Sequence, residues 1–147
     1  MQLALGYLSY RPRSEFEVKN YLRQKGCEPQ VRDAVLVKLR SLHYLDDPSF
    51  AQIWARSRLE SRGYGPRRVE QELRLRGIDA KVIRETIQQS LQRTSEQESA
   101  RRILTKRFGG GSVVDAKARR RAVALLQRRG FSSKVIFDLL QYRIDED

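Results

Sequence analysis

The amino-acid sequence predicts an all-α fold, in which three tandem three-helix repeats form an elongated, curved helical-repeat protein. Gly26, Gly77 and Gly130 each follow a basic and apolar segment typical of a helix end (LRQKG, LRLRG and LQRRG), and they lie 51 and 53 residues apart. A leucine stands four residues before each glycine, and a valine stands five residues after it. A period of about 50 residues is typical of helical repeats, and no segment shows the alternation expected of a β-strand.

Repeat 1 is predicted to span residues 1–45. Ser14 and Glu17 have the spacing of a capping box, in which each side chain accepts a hydrogen bond from the other residue's backbone N–H, so a helix is expected to begin there. Pro29 is expected to begin the third helix, because the first turn tolerates a missing N–H. The apolar residues of that helix, Val31 among them, are predicted to face the core.

Repeat 2 is predicted to span residues 46–94. Asp47 precedes a proline and is expected to cap the first helix. Residues 63–66 (GYGP) end that helix and begin the second. Gly77 then ends the second helix in the left-handed conformation that glycine adopts at low cost, and Asp79 caps the third helix.

Repeat 3 is predicted to span residues 95–147. Ser95 is expected to cap its first helix, and residues 109–112 (GGGS) are predicted to be a flexible connector. A helix over residues 115–129 follows, and Ser132 caps the last helix. The chain is therefore predicted to contain nine short helices in three sets of three.

The charge of the chain points to a polyanionic partner. Thirty lysines and arginines stand against 18 acidic residues, which leaves a net charge of +12. The excess is spread over residues 1–46, 47–94 and 95–147 as +3, +4 and +5, so each folded unit is basic and the excess is not confined to a single basic tail.

No apolar stretch approaches the roughly 20 residues needed to cross a bilayer, and no signal peptide is recognised. With one cysteine no internal disulfide can form. A cytoplasmic monomer without membrane contact is expected.

Basic side chains gather on helix faces opposite the predicted core. In the middle helix of repeat 3, Ala122 and Leu126 share one face, and the basic residues lie on roughly the opposite side. Tyr64 is a large aromatic residue on a tight Gly-Tyr-Gly loop and is a candidate contact. The predicted contact residues for a partner protein or nucleic acid are Arg56, Arg58, Arg62, Tyr64, Arg67, Arg68, Arg74, Lys117, Arg120, Arg121 and Arg128.

Some of these cations lie at predicted helix starts, where the helix dipole disfavours positive charge. Arg67 and Arg68 directly follow Pro66, and Lys117 lies in the first turn of its helix. Each such cation costs a few tenths of a kcal/mol or more. A bound anion would relieve this cost, because free N–H groups and basic side chains would both point at it. The sequence therefore predicts anion binding at these helix starts, with a solvated basic face screened by salt as the alternative.

Residues 44–79 resemble the signature of the RecX family of bacterial recombination regulators. The matching elements are YLDD at 44–47, FA at 50–51, Trp54, GYGP at 63–66 and the Gly77-Ile78 pair. Repeat 1 is also similar, through SYRPRS at 9–14, and RRGFS at 128–132 matches in repeat 3. The resemblance covers nearly the whole chain. One departure is His43, where the family often has glycine before YLDD.

The resemblance implies tandem three-helix repeats, no catalysis and a role in regulating the RecA recombinase in DNA repair and recombination. Members of the family are understood to bind in the groove of the RecA–DNA filament. There they limit strand exchange, ATPase and co-protease activity. The family is also understood to have some affinity for single- and double-stranded DNA, which for this chain is expected to be weak and salt-dependent.

Two other functions stay open at the level of sequence. Three-helix units resemble helix-turn-helix readers, so the chain could be a DNA-binding regulator that acts without RecA. A nuclease is the second alternative, and it requires clustered carboxylates or an activated nucleophile, which the sequence does not supply convincingly. Asp46 and Asp47 diverge on a helix and have no further ligand nearby in sequence. No metal or cofactor is therefore predicted.

Overall fold

The structure, a computed structural model, describes residues 1–109 and 115–141. Within these ranges the chain forms nine α-helices, a π-helical turn at Ser57–Ser61 and no β-strand. The helices are α1 (Gln2–Leu8), α2 (Glu15–Gln24), α3 (Pro29–Ser41), α4 (Asp47–Arg56), α5 (Pro66–Leu75), α6 (Ala80–Arg93), α7 (Glu96–Phe108), α8 (Ala116–Arg129) and α9 (Ser133–Leu140). The predicted all-α class with three sets of three helices is confirmed. The predicted connector at 109–112 lies, beyond its first residue, outside the described residues.

Each set of three helices has its own hydrophobic core. Repeat 1 comprises α1–α3, repeat 2 comprises α4–α6 and repeat 3 comprises α7–α9. In every repeat the middle helix contributes a small apolar residue and a leucine four residues later, both almost completely buried: Val18 and Leu22, Val69 and Leu73, Ala122 and Leu126. Since residues four apart lie on one helix face, these pairs place the same stripe of each middle helix in its core.

The three middle helices dock end to end. The hydroxyl of Ser14, the N-cap of α2, donates to the carbonyl of Arg76 at the end of α5, with an Oγ–O distance of 2.7 Å. Likewise the backbone N–H of Gly65, the N-cap of α5, donates to the carbonyl of Arg129 at the end of α8, with an N–O distance of 2.6 Å. Arg76 and Arg129 each directly precede a repeat glycine, so carbonyls at equivalent positions accept the hydrogen bonds that join repeat 1 to repeat 2 and repeat 2 to repeat 3.

Val31 shows where the repeats differ in packing. Its side chain is 53% exposed, so the prediction that it faces the core is wrong, whereas the equivalent Val135 is buried. The first helix packs on the third in repeats 2 and 3, but the seven-residue α1 packs mainly on α2. The start of α3 is therefore left uncovered.

Asp46, and not Asp47, caps α4. The Asp46 carboxylate accepts a hydrogen bond from the Ser49 N–H at 3.0 Å, so the prediction for Asp47 is wrong by one residue. Asp47 instead accepts a hydrogen bond from the Glu15 N–H at the start of α2, at 3.0 Å, and so joins repeats 1 and 2. Burial raises the pKa of the Asp47 carboxyl, and the hydrogen bond from Glu15 only partly opposes that rise.

Asp47 is expected to stabilise the contact between repeats 1 and 2 as a hydrogen-bond acceptor and not as a charge. Asp47→Asn keeps an oxygen for the Glu15 N–H and removes a half-buried charge, so the free energy of unfolding should stay within about 1 kcal/mol of wild type. Asp47→Ala leaves that N–H without its acceptor and should cost about 1–3 kcal/mol. Urea unfolding of both variants near neutral pH measures the difference. Equal losses in the two variants would contradict this assignment.

The pH dependence of the same variants tests the raised pKa. In the wild type the folded state holds the Asp47 proton more tightly than the unfolded state, so the contribution of Asp47 to stability falls as pH rises from the ordinary aspartate value, 3.8, through the raised pKa. Asp47→Asn lacks this component. Its stability relative to wild type should therefore improve as pH rises across that window.

Candidate nucleic-acid and partner interface

Aromatic rings and arginines stack along repeat 2. The guanidinium groups of Arg76 and Arg58 both stack on Trp54 of α4, with Cζ atoms 3.8 Å and 4.3 Å from the ring centroid. Tyr64 on the loop before α5 has the Arg68 guanidinium over its ring at 3.8 Å, with those of Arg58 and Arg129 near 6 Å, at 5.9 Å and 5.7 Å. A cation–π pair contributes about 0.5–1 kcal/mol at an exposed site and about 2 kcal/mol when it is desolvated. Tyr64 thus packs within repeat 2 and also touches repeat 3 through Arg129.

Glu72 is the carboxylate within this stack. It pairs with Arg58 at 3.5 Å and with Arg68 at 4.0 Å, and its side chain and that of Arg58 are both less than a fifth exposed. Glu72 lies on α5, one turn after Arg68, so helix periodicity places the two side chains together. Because one carboxylate serves two guanidinium groups, the stack keeps a net positive charge.

A basic groove lies between α5 and α8, on one side of the contact between repeats 2 and 3. This α5–α8 groove has a volume of about 500 Å³. Arginines and glutamines dominate its lining, and none of the described lining residues is a carboxylate. The lining residues are Arg67, Arg68, Gln71, Gln127, Arg128, Gly130, Phe131 and Ser133.

A second basic groove, the α7 groove, lies between α7, the end of α8 and the π-helical turn. Its volume is about 480 Å³. Of the described residues that line it, five carry a cationic side chain and one, Glu60, carries a carboxylate, and several are apolar. Those cations are Arg62, Arg102, Lys106, Arg107 and Arg129. Both grooves therefore place a cluster of positive charge where repeat 2 meets repeat 3.

The structure brings together some of the predicted contact residues and separates others. Arg62, Arg67, Arg68 and Arg128 line the two grooves, and Arg58 and Tyr64 belong to the stack beside them. The guanidinium of Arg56 pairs with Glu60, and that of Arg74 pairs with Glu70, and in each pair the two residues are one helical turn apart. Lys117, Arg120 and Arg121 are exposed on the N-terminal half of α8 and line neither groove.

The predicted anion site at the start of α5 is not present as such, because a neighbouring helix already occupies it. The N–H groups of Gly65 and Arg67 donate to the carbonyls of Arg129 and Gly130. The negative end of the α8 dipole thus meets the positive end of α5, which offsets the cost of cations at that helix start. At the start of α8 the Asp115 carboxylate accepts from the Lys117 N–H at 2.8 Å. The basic side chains remain, but these N–H groups have partners within the protein.

Sequence reasoning did not single out the cations of the α7 groove contributed by repeat 3. Arg102 and Lys106 lie four residues apart on α7, and Ile103 beside them lines the same groove, so the helical period could have placed them on one face. Arg129 was interpreted as part of a helix end and of the RRGFS match, and it was not predicted to contact a partner. That these residues face repeat 2 depends on how the repeats dock, which helical periodicity does not predict.

Comparison with known families identifies the repeats. Models of the first, second and third three-helix domains of RecX match residues 1–39, 46–87 and 95–140. The regulatory protein RecX of Stenotrophomonas maltophilia strain K279a is 34% identical over 146 residues, which cover 99% of this chain and 88% of that relative. The regulatory protein RecX of Bacillus subtilis is 33% identical over 98% of this chain, but only 56% of the relative is covered.

Relatives also differ in length. The regulatory protein RecX of Lactobacillus johnsonii is 29% identical, and 55% of it is covered by this chain. The chain thus spans about half the length of these longer relatives. A crystal structure of RecX from Lactobacillus salivarius has the same fold, with a TM-score of 0.76 at 24% identity over 94% of this chain and 90% of that one.

Fold and site together define a class of protein: tandem three-helix repeats that dock end to end and carry basic grooves at a junction between repeats. The chain belongs to the RecX family, whose relatives compared above are named regulatory proteins. Within the described ranges, none of the helices has the length and apolar character that crossing a bilayer requires.

Proposed function

We propose that this protein binds the RecA–DNA filament along its groove and mainly inhibits the ATPase, strand-exchange and co-protease activities of RecA. Membership of a family of regulatory proteins supports this proposal. The observation that carries it is the pair of basic grooves at the junction of repeats 2 and 3. A filament of protein on DNA offers phosphates and acidic side chains at regular intervals, which such grooves can bind.

End-to-end docking of the repeats suggests how binding would inhibit. Repeats joined by the contacts at Ser14–Arg76 and Gly65–Arg129 present their basic surfaces in a defined order along the molecule. Several weak contacts held in series gain affinity from effective concentration. A molecule bound across neighbouring RecA subunits would oppose the rearrangements that ATP hydrolysis and strand pairing require. The protein is proposed to act as a monomer.

Titration of RecA tests the proposal. RecA ATPase activity on single-stranded DNA is measured with increasing amounts of this protein at two salt concentrations. We expect a dose-dependent loss of ATPase activity, with half-inhibition at a higher concentration in the higher salt, because each phosphate contact releases counterions. Unchanged ATPase activity at saturating protein would end the proposal.

A charge-reversed variant makes the ATPase experiment specific to the site. Lys106→Glu combined with Arg107→Glu reverses two exposed charges of the α7 groove and should raise the half-inhibiting concentration at least about tenfold. Lys19→Glu combined with Arg23→Glu makes the same charge change on the exposed face of α2, away from the groove. Equal effects of the two double variants would show that net charge, and not this groove, determines inhibition.

A DNA-binding regulator that acts without RecA is the second candidate, and the exposed cations of α8 favour it. Lys117, Arg120 and Arg121 stand on one exposed helical segment, as basic residues do in helices that enter the major groove. This function predicts tight binding to one duplex sequence at physiological salt. Weak binding of unrelated duplexes with equal affinity would exclude it.

A further inference from the structure

The α5–α8 groove has an equivalent at the other junction. There, a groove of about 330 Å³ lies between α2 and α5, and we name it the α2–α5 groove. Its lining residues are Tyr7, Phe16, Glu17, Asn20, Tyr21, Gln24, Leu75 and Arg76. The repeat offsets of 51 and 53 residues place Phe16, Glu17 and Asn20 on Arg67, Arg68 and Gln71, and they place Leu75 on Arg128. At both junctions, therefore, a groove forms between two consecutive middle helices, from corresponding positions of the repeat.

The two grooves have different chemistry at those positions. Phe16 and Leu75 are 43% and 70% exposed, so the α2–α5 groove presents apolar side chains to solvent and also holds the carboxylate of Glu17. The corresponding positions of the α5–α8 groove hold arginines. Since the lining residues occupy corresponding positions of the repeat, the difference in charge follows from which side chains stand there.

We propose that the α5–α8 groove binds the phosphodiester backbone of nucleic acid and that the α2–α5 groove does not. Arg67 near the start of α5 and Arg128 near the end of α8 are both exposed, and they line the groove together with Gln71 and Gln127. Guanidinium groups bind phosphate oxygens through paired N–H donors, and an amide supplies further donors. The described side chains that line this groove are positive or neutral, so they do not repel a phosphate.

Nucleic acid fits this groove better than an acidic protein segment does. Protein interfaces depend on apolar anchors inserted in their centre, whereas interfaces with nucleic acid are polar and strongly positive. Among the described residues that line this groove, Phe131 alone has a large apolar side chain, and it is only 2% exposed, so it offers no anchor. The exposed Phe16 and Leu75 give the α2–α5 groove the anchors that the α5–α8 groove lacks.

The same lining indicates that the groove contacts the backbone and not the bases. The part of the lining that the structure describes offers no exposed aromatic ring on which a base could stack, since Phe131 is buried. Binding should therefore be independent of sequence and strongly dependent on salt. This site does not require that the protein regulates RecA, because it can be measured with nucleic acid alone.

Arg128 is the residue on which the test depends. Its side chain is exposed and forms no ion pair within residues 1–109 and 115–141, and the equivalent position in repeat 2 is a leucine. Arg128→Leu therefore installs the side chain that the other groove carries naturally. The full-length protein is titrated into a fluorescein-labelled oligothymidine, and fluorescence polarisation gives the dissociation constant at a series of salt concentrations.

We expect Arg128→Leu to weaken binding about fivefold at low salt and to reduce the slope of log affinity against log salt by about one phosphate contact. Arg128→Lys keeps the charge and should keep the slope. Arg23→Leu, an equal change of net charge at an exposed position of α2, should leave both quantities near wild type. Circular dichroism checks that each variant is folded, and Arg128→Gln replaces Arg128→Leu if the latter unfolds.

Three results would overturn the proposal. The first is an unchanged affinity and slope for Arg128→Leu and Arg128→Gln. The second is an equal loss for Arg23→Leu, since net charge alone would then explain binding. The third is unchanged oligothymidine binding by Arg128→Leu with weaker inhibition of RecA ATPase, which would assign the groove to an acidic protein surface. Loss of oligothymidine binding with RecA inhibition intact would support the groove assignment and separate it from the proposed regulation.

Discussion

Gly65→Ala is expected to separate repeat 2 from repeat 3 and to lower the free energy of unfolding by about 2–4 kcal/mol. A Cβ at this position would lie 2.5 Å from the backbone C and O of Gly130 and from the N of Phe131. These are backbone atoms, so the two repeats must move apart. The hydrogen bonds from Gly65 to Arg129 and from Arg67 to Gly130 are then lengthened or lost. Gly65 has a φ of −85°, so the alanine itself is not strained.

Urea unfolding followed by two signals measures the effect of Gly65→Ala. Fluorescence of Trp54, the only tryptophan, reports on repeat 2, and circular dichroism reports on all three repeats. We expect the circular dichroism transition of the variant to begin at lower urea than the Trp54 transition, since repeat 3 loses its neighbour. Gly6→Ala is the control, because a Cβ there meets no atom within 4 Å and alanine favours the helix. If Gly65→Ala unfolded over the same urea range as wild type, the close contact of Gly65 with the Gly130 backbone would be contradicted.

Glu72→Gln is expected to destabilise repeat 2 by about 1–3 kcal/mol. The side chains of Glu72 and Arg58 are 19% and 17% exposed, so removing the carboxylate leaves a mostly buried guanidinium without its counter-charge. Arg68 loses its more distant ion pair at the same time. Both guanidinium groups also stack on aromatic rings, so their positions in the fold are restricted and they cannot easily move into solvent.

Glu70→Gln, two residues earlier on α5, is the matched control for Glu72→Gln. The Glu70 carboxylate pairs with Arg74, but their side chains are 45% and 69% exposed, so solvent screens the pair. The loss should stay within about 0.5 kcal/mol. Urea unfolding followed by Trp54 fluorescence measures both variants. Losses of equal size would mean that the charge of α5, and not the buried pairing at Glu72, determines the difference.

Local chemistry explains why the helices were predictable. The Ser14–Glu17 capping box forms as expected, and Asp79 and Ser132 each accept a hydrogen bond from their helix start. Gly77 ends α5 with a φ of +73°. Caps and left-handed glycines act through bonds between residues a few positions apart, so their residue types are legible in sequence. The prediction for Asp47 was wrong by one residue. A carboxylate at this position can accept a hydrogen bond from its own helix start or from a neighbouring repeat, and the contact between repeats 1 and 2 places it at the Glu15 N–H.

The candidate site was predictable only in part. Basic residues on the solvent side of α5 and α8, such as Arg67 and Arg128, follow from helical periodicity. Periodicity does not indicate which two faces meet, so the contribution of α7 to the second groove was missed. Helical periodicity also does not indicate which cations already form ion pairs with carboxylates of the same protein. Arg74 and Glu70 could be matched by their spacing of four, whereas the pairing of Arg58 with Glu72 spans two helices.

By itself the sequence determined the all-α class, the threefold repeat, the buried stripe of each middle helix and the excess of positive charge, because each depends on residue type and on spacings of a few positions. The tertiary structure alone decided how the repeats join, since a carbonyl at Arg129 and an N–H at Gly65 lie 64 residues apart and no local rule pairs them. That contact also decided the site. It closes the start of α5 to an anion and forms, on either side, the two grooves in which the arginines of different repeats come together.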